Sequence, residues 1–141
     1  MIVDANVLVY AVDTSSPHHA RAAAWLTEAL NGTIRVGLPW QTIGAFLRIT
    51  THPRLWERPL TADDARHYID TWLATPVAWM PSTDASTWEG YRELVADRSI
   101  TGNLVPDAQL AALAVQHGVE LVSADSDFAR FPRVRWVNPL G

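Results

Sequence analysis

Cysteine and lysine are both absent from the 141 residues. The eleven basic residues other than histidine are all arginine. Without cysteine the chain can form neither a disulfide framework nor a thiolate metal site. Any metal ion must therefore be bound by oxygen or imidazole ligands, which favours a hard cation such as magnesium or manganese.

Positive charge in excess is also absent, since the formal net charge is -4 at pH 7. Binding of nucleic acid over the whole surface needs clustered positive charge, so any such contact must be local.

Long apolar runs are missing as well. The early run from Val7 to Val12 is too short for a signal-peptide core and lacks a basic start, so we expect a cytoplasmic protein that does not enter a membrane.

The length and the 48% hydrophobic content are those of one domain with a continuous core. No linker, repeat or low-complexity segment interrupts the chain, so residues 1–141 are predicted to form a single domain.

Short apolar segments alternate with helical patterns along the chain. The predicted strands are residues 1–4, 34–38, 77–80, 119–123 and 134–137, and the predicted helices are residues 5–12, 17–30, 40–50, 61–73, 83–96 and 106–118, with a turn-rich stretch at 97–102. This alternation indicates an α/β fold, in which a central, mostly parallel sheet lies between two layers of helices. The seven tryptophans are expected to be mostly core residues.

Several aspartates fall where a parallel sheet binds ligands, beyond the carboxyl ends of its strands. Asp4 ends the first predicted strand, and Asp125 follows the strand at 119–123. Asp107 lies at a helix start, where its side chain should point toward the sheet. Asp127 can join the group if the chain turns after Asp125. Such carboxylates repel one another unless a cation neutralises them, and hard divalent cations prefer oxygen ligands.

Two of these aspartates also have an ordinary structural explanation. Asp107 is a candidate N-cap of the helix at 106–118, and Asp125 is a candidate cap of a short final helix. Asp4 has few structural uses after three apolar residues. The pattern alone leaves capping and metal binding open for the other two.

Three motifs, in this order, resemble those of PIN-domain proteins. They are residues 1–8 (MIVDANVL), residues 106–114 (PDAQLAALA) and residues 121–128 (LVSADSDF). Residues 46–54 (FLRITTHPR) and the ending at 131–140 are most similar to the VapC toxins within that family. The resemblance implies a three-layer PIN-like domain, a bacterial toxin with a VapB-type antitoxin as its partner, an RNA substrate and a homodimer.

By this resemblance the reaction is hydrolysis of RNA phosphodiester bonds, in a transfer or ribosomal RNA loop, with Mg²⁺ as the cofactor and Mn²⁺ as a possible substitute. Asp4 and Asp107 are the expected direct ligands. Asp125 is expected to bind the ion directly or through water, and Asp127 to assist it. The sequence departs from the family at Ala45, where a glutamate is common, and the amide of Gln41 one turn earlier cannot replace it as a base.

Contacts around the acids are also predicted. Asn6 and Ser123 each lie two residues from an aspartate and are candidates to hold the carboxylates by hydrogen bonds. Arg48 and Arg54 are candidates for RNA phosphate contacts, in a segment that also holds Trp56. A solvated loop is the ordinary alternative for that segment.

Other classes of protein also place acids at the ends of parallel strands. Receiver domains and aspartate-nucleophile phosphatases do so, but both require a lysine near the site, and this chain has none. The phosphatases also need a second aspartate where this chain has Asn6. A catalytically weak or inactive PIN-fold interaction domain is a further alternative, and Ala45 is the argument for it. The three motifs favour a catalytic protein.

Overall fold

Five short strands form a parallel sheet in the part of the chain that the computed structural model describes, residues 1–96 and 99–141. The strands are β1 (Ile2–Val3), β2 (Val36–Gly37), β3 (Ala78–Trp79), β4 (Leu121–Val122) and β5 (Trp136–Val137). Their order across the sheet is β3-β2-β1-β4-β5, and all four pairings are parallel. The predicted α/β fold is confirmed, and the described sheet is parallel throughout.

Helices cover both faces of this sheet. They are α1 (Ala5–Val12), α2 (His19–Leu30), α3 (Trp40–Thr50), α4 (Ala62–Leu73), α5 (Ala85–Val95) and α6 (Leu104–His117), followed by a 3₁₀ helix (Ser126–Arg130). Neighbouring strand residues face opposite sides. Val3 therefore packs with the buried residues of α1 to α4, whereas Ile2 packs with those of α5 and α6. The protein thus has three layers with a core on each side of the sheet.

The helix that carries Asp107 begins earlier than the sequence analysis predicted. α6 starts at Leu104 and not at Pro106, and Asn103 occupies its N-cap position. Proline fits the first turn of a helix, because its missing N–H would have no partner there. Asp107 is consequently a first-turn residue, and its proposed role as the helix cap is wrong.

Several aromatic residues are more exposed than predicted. Trp72 is the one tryptophan that is buried, although all seven lie among the described residues. Trp88, which the spacing of α5 places inward, is 59% exposed and stacks on Tyr91 with the ring centroids 5.7 Å apart. The prediction that the tryptophans are mostly core residues is therefore wrong.

The turn predicted at residues 97–102 falls partly on residues 97 and 98, which lie outside the described residues.

Gly37 allows β2 to lie close to the first residue of the chain. A Cβ atom on Gly37 would lie 2.9 Å from the carbonyl oxygen of Met1 and 3.0 Å from Cγ of Pro81. The Gly37 N–H also donates to that Met1 oxygen at 2.7 Å. Since backbone cannot move aside as a flexible side chain does, this position admits only glycine without displacement of β1 or β2.

We predict that Gly37→Ala lowers the free energy of unfolding by about 1–3 kcal/mol, the usual cost of overpacking a filled interior. Gly44→Ala is the matched control. Gly44 lies in the middle of α3 on its solvent-exposed side, and a Cβ atom there would meet nothing within 4 Å. That change should raise stability by about 0.5–1 kcal/mol, since alanine favours the helix. Urea denaturation measures both, and equal midpoints for the two variants would contradict the packing described for β2.

Candidate metal centre

The candidate site lies where the order of the strands changes direction. β1 and β4 are neighbours, with Ile2 opposite Leu121 and Val3 opposite Val122. From β1 the chain continues to β2 and β3 on one side, and then returns to β4 on the other. Such a switch point leaves a crevice beyond the carboxyl ends of the two central strands. Asp4 follows β1 directly, and Asp125 lies just after β4.

Three carboxylates come close together at this crevice. One oxygen each of Asp107, Asp125 and Asp127 lies within 4.8 Å of the other two, and all three residues are half-buried. The predicted convergence of Asp107 and Asp125 is therefore seen. Asp127, whose membership depended on a turn of the chain, belongs to the closest group. Asp4 is outside that group of three, although its charge acts on Asp107.

Asp4 is held rigidly by two hydrogen bonds. Its Oδ1 accepts the backbone N–H of Ala5 at 2.7 Å, and its Oδ2 accepts the hydroxyl of Ser123 at 2.7 Å. Asp4 is thus the N-cap of α1, so the expectation that it has few structural uses is wrong. Each carboxylate oxygen has two lone pairs, so both oxygens keep acceptor capacity for a ligand.

Ser123 is the centre of the network that joins the two central strands. Its side chain is fully buried, and its hydroxyl oxygen accepts Nδ2–H of Asn6 at 3.1 Å and the N–H of Asp125 at 3.0 Å. Asn6 in turn accepts the N–H of Ala124 at 3.2 Å. The sequence analysis named Asn6 and Ser123 for such a role. These bonds fix the chain after β1 against the chain after β4.

Asp125 has a structural role beside its place in the acidic group. Its Oδ1 accepts the N–H of Asp127 at 2.8 Å and thereby caps the 3₁₀ helix. The predicted cap is confirmed, and it explains how Asp127 is turned back toward the crevice. Capping and clustering are therefore compatible at this position.

The site disfavours the ionised form of two of its carboxylates. Burial raises the pKa of Asp107 to about 6, and the charges of Asp125, Asp4 and Asp127 add to that increase. Burial also raises the pKa of Asp4, although the hydrogen bonds from Ser123 and Ala5 act in the opposite direction. The folded protein therefore carries unfavourable negative charge that a bound cation would relieve.

These residues fit a hard divalent cation. The donors are carboxylate oxygens only, they lie close enough to share one ion, and burial together with the neighbouring acids disfavours the ionised form of Asp107, which a cation would stabilise. Three of the aspartates take their orientation from neighbouring groups, as ligands of a preformed site do. The acid set is thus suitable for Mg²⁺ or Mn²⁺.

One charged residue at this site escaped the sequence analysis. Arg130, at the end of the 3₁₀ helix, donates from a terminal guanidinium nitrogen to Oδ1 of Asp127 at 3.2 Å. Its charge lowers the pKa of Asp107, against the larger effects of burial and the neighbouring acids. The only signal in the sequence is the spacing of three residues between Asp127 and Arg130, which is common in exposed ion pairs.

The two arginines predicted to contact RNA phosphates lie away from the acids. Arg48 is an exposed residue in the last turn of α3, and Arg54 is exposed in the loop that follows. That loop and the end of α1 enclose a cavity of about 420 Å³ that Trp56 and Arg58 help to line. Asp4 caps the opposite end of α1, about 12 Å away at 1.5 Å per residue.

Comparison with known proteins agrees with this arrangement. The family model of the PIN domain matches residues 1–134. Ribonuclease VapC37 of Mycobacterium tuberculosis is 44% identical over 138 residues, which cover 98% of this chain and 96% of that protein. Ribonuclease VapC33 of the same species is 36% identical over 140 residues, covering 99% of this chain and 98% of that protein. The chain belongs to the PIN-domain family and, within it, to the VapC proteins.

Solved structures show the same fold for this VapC chain. The crystal structure of VapBC2 from Rickettsia felis, bound to a DNA fragment from their promoter, contains a chain that superposes with a TM-score of 0.69 at 18% identity. The match covers 97% of this chain and 96% of that one. The predicted family and fold are confirmed.

Position 45, where the resemblance to the family implied a glutamate, carries alanine. Ala45 is half-buried on α3, one turn after the exposed Gln41. Between them Thr42 is buried, and its hydroxyl donates to the carbonyl oxygen of Val3 at 2.9 Å. Asp4, Asp107, Asp125 and Asp127 are the acids that the described part of the chain brings to the crevice.

We predict that acidification stabilises the metal-free protein through Asp107. Its folded pKa of about 6 exceeds the ordinary aspartate pKa of 3.8, so the contribution of Asp107 to stability is full below about pH 4 and is lost as the pH rises through 6. Asp107→Asn should remove this dependence. In chelator, the melting temperature of wild type minus that of the variant should therefore increase as the pH falls from 7 to 4.

Asp63→Asn is the matched control, because Asp63 is an exposed residue of α4 in a surface ion pair with Arg66. The melting temperature of wild type minus that of Asp63→Asn should show no such rise between pH 6 and pH 4. A flat difference for Asp107→Asn over the same range would contradict the charge crowding described for the crevice.

Proposed function

We propose that this protein is a metal-dependent endoribonuclease and the toxin of a VapBC toxin–antitoxin pair. The observation that carries the proposal is the convergence of Asp107, Asp125 and Asp127 within 4.8 Å beside Asp4, at the switch point of a PIN-domain sheet. The names of the relatives support RNA as the substrate, since both VapC37 and VapC33 are ribonucleases.

In this proposal Asp4, Asp107 and Asp125 hold Mg²⁺ or Mn²⁺, and Asp127 completes the acid set. When bound there, a divalent cation would lower the pKa of a water molecule and neutralise charge on the phosphate. The chain itself supplies orientation. The Ser123 hydroxyl keeps Asp4 Oδ2 at a fixed position, and the backbone hydrogen bond to Asp125 Oδ1 keeps Asp127 in the crevice.

Protonation of Asp107 would control occupancy of the site. A protonated carboxyl group is a poor ligand for a hard cation, and the pKa of about 6 places this change just below neutral pH. The neighbouring acids that raise this pKa are themselves proposed ligands, so binding of the ion would reverse the effect. The site is therefore expected to be formed at neutral pH and lost in mild acid.

The substrate would be single-stranded RNA, such as a loop of transfer or ribosomal RNA, in which bases are accessible. Arg48 and Arg54 are proposed to contact phosphates beside the loop that faces the end of α1 opposite Asp4. Both side chains are exposed, and neither forms an ion pair with a described residue. An RNA strand that reaches from them to the acids would run along α1.

The proposed partners are a VapB-type antitoxin and a second copy of this chain. The support for the antitoxin is membership of the VapC family, together with the fold shared with the VapC chain of the Rickettsia felis complex. We propose a cytoplasmic location, where RNA is available. No helix among the described residues combines the length and apolarity needed to span a membrane.

A catalytically weak or inactive interaction domain is the second candidate. Ala45 favours it, because it removes a carboxylate from α3. The closeness of Asp127 to Asp107 and Asp125 argues against it, since Asp127 restores a fourth acid to the site. A cleavage assay separates the two candidates.

We predict that the purified protein cuts single-stranded RNA in Mg²⁺ or Mn²⁺ and is inactive in excess chelator. Asp4→Asn and Asp107→Asn should each lower the cleavage rate by about 100-fold or more. Even substitution of a residue that only hydrogen-bonds to a metal ligand lowers metal affinity or activity by about 10- to 100-fold. Both variants should remain folded by circular dichroism. Asp63→Asn should cut at the wild-type rate, since Asp63 lies on the outer surface of α4.

Cleavage that persists unchanged in chelator would exclude the metal-dependent mechanism. Wild-type rates for Asp4→Asn or Asp107→Asn would remove that residue from the site. Absence of cleavage in either metal, with a folded protein, would favour the interaction domain.

A further inference from the structure

Among the described residues, Arg130 is a cation that the fold places at the edge of the acidic crevice. It ends the 3₁₀ helix Ser126–Arg130, and its guanidinium lies 3.2 Å from Oδ1 of Asp127. Asp127 is one of the three carboxylates that approach within 4.8 Å of one another. The side chain of Arg130 is 49% exposed, so it is accessible from solvent while it contacts Asp127.

Neighbouring arginines in the described part of the chain point to other partners. Arg133 pairs with Glu93 of α5 at 3.0 Å, and Arg135 donates to the carbonyl oxygen of Gly118 at 3.1 Å. Arg130, Arg133 and Arg135 lie within six positions of the chain. Of these three, only Arg130 pairs with an acid of the crevice, Asp127. Its orientation follows from the short helix that Asp125 caps, because a spacing of three residues brings Arg130 beside Asp127.

The contact with Asp127 leaves most of the guanidinium available. Arginine has five N–H donors in a planar fork, and the hydrogen bond to Asp127 uses one nitrogen. This fork suits two oxygens of a phosphate. An exposed ion pair within one short helix contributes little to stability, so stability alone gives a weak reason for the arrangement.

An RNA strand needs positive charge at this position. Asp4, Asp107, Asp125 and Asp127 carry up to four negative charges, which repel a phosphate that approaches the crevice. One divalent cation neutralises part of that charge. Arg130 adds a further positive charge at the rim, where it faces both the acids and the solvent from which the substrate arrives.

We propose that Arg130 binds a phosphate group of the RNA substrate and places the strand at the acidic crevice. This inference rests on the proposed ribonuclease function, and it adds a substrate-positioning residue to it. On approach of the strand, the N–H groups of Arg130 that Asp127 does not use donate to the phosphate oxygens. Asp127 keeps the guanidinium in place beforehand.

The test compares Arg130→Ala, Arg130→Lys and the matched control Arg133→Ala. The probe is a fluorescein-labelled single-stranded RNA of mixed sequence, whose binding is followed by anisotropy in chelator over a range of salt concentrations, so that cleavage does not interfere. Arg130→Ala should weaken binding about tenfold, as loss of a hydrogen bond to a charged group does. It should also flatten the logarithmic salt slope by about 0.7, the value for one phosphate contact on a single strand.

The other two variants make the result specific. Arg130→Lys should keep the wild-type salt slope with weaker binding, because lysine retains the charge and loses the fork. Arg133→Ala should match wild type in both affinity and slope, since its partner is Glu93. Wild-type affinity and slope for Arg130→Ala would overturn the proposal, and so would an equal loss for Arg133→Ala.

Calorimetry with MgCl₂ excludes an indirect effect through the metal. Removal of a positive charge beside the acids should leave Mg²⁺ binding by Arg130→Ala as tight as in wild type or tighter. Weaker Mg²⁺ binding would mean that Arg130 acts by arranging Asp127, which would overturn the phosphate-binding role.

The two proposals fail in different ways. If wild type cleaves RNA and the salt slope of Arg130→Ala is unchanged, the ribonuclease stands and Arg130 is excluded as a phosphate contact. If wild type cleaves no RNA but Arg130→Ala still flattens the slope, the phosphate site stands and the catalytic function fails.

Discussion

Crowding of negative charge at one crevice is the constraint on which the rest of the site depends. Parallel pairing of β1 with β4 brings Asp4 and Asp125 to the same edge of the sheet, and α6 and the 3₁₀ helix add Asp107 and Asp127. Burial and then this crowding raise the pKa of Asp107 to about 6. Such an arrangement opposes folding unless protons, a cation or nearby hydrogen-bond donors offset it.

Donor groups of the chain offset part of the repulsion and fix the geometry at the same time. Ser123 is fully buried, and its hydroxyl binds Asp4 while it accepts N–H groups of Asn6 and Asp125. A polar network that is buried and fully hydrogen-bonded gives a unique arrangement of its members. The result is a set of carboxylates that the chain's own hydrogen-bond donors hold in place.

Sequence reasoning succeeded where a short local pattern determines position. Asp4 and Asp125 could be placed because apolar segments precede them and parallel strands end at one edge. It failed where long-range packing decides. The start of α6 was misplaced by two residues, so that Asp107 was taken for a possible cap. Trp88 is exposed although the periodicity of α5 placed it inward, and the direction of Arg130 depends on a short helix that Asp125 orders.

We propose that Asp107 exchanges a proton for a metal ion at a site crowded with negative charge. Titration of the protein with MgCl₂ in buffers of different ionisation enthalpy measures the protons released. At pH 6, close to the pKa of Asp107, the account predicts release of about half a proton per ion by wild type, and much less at pH 8 or from Asp107→Asn. Equal release at pH 6 by wild type and Asp107→Asn, or binding of Mg²⁺ with no release at pH 6, would contradict it.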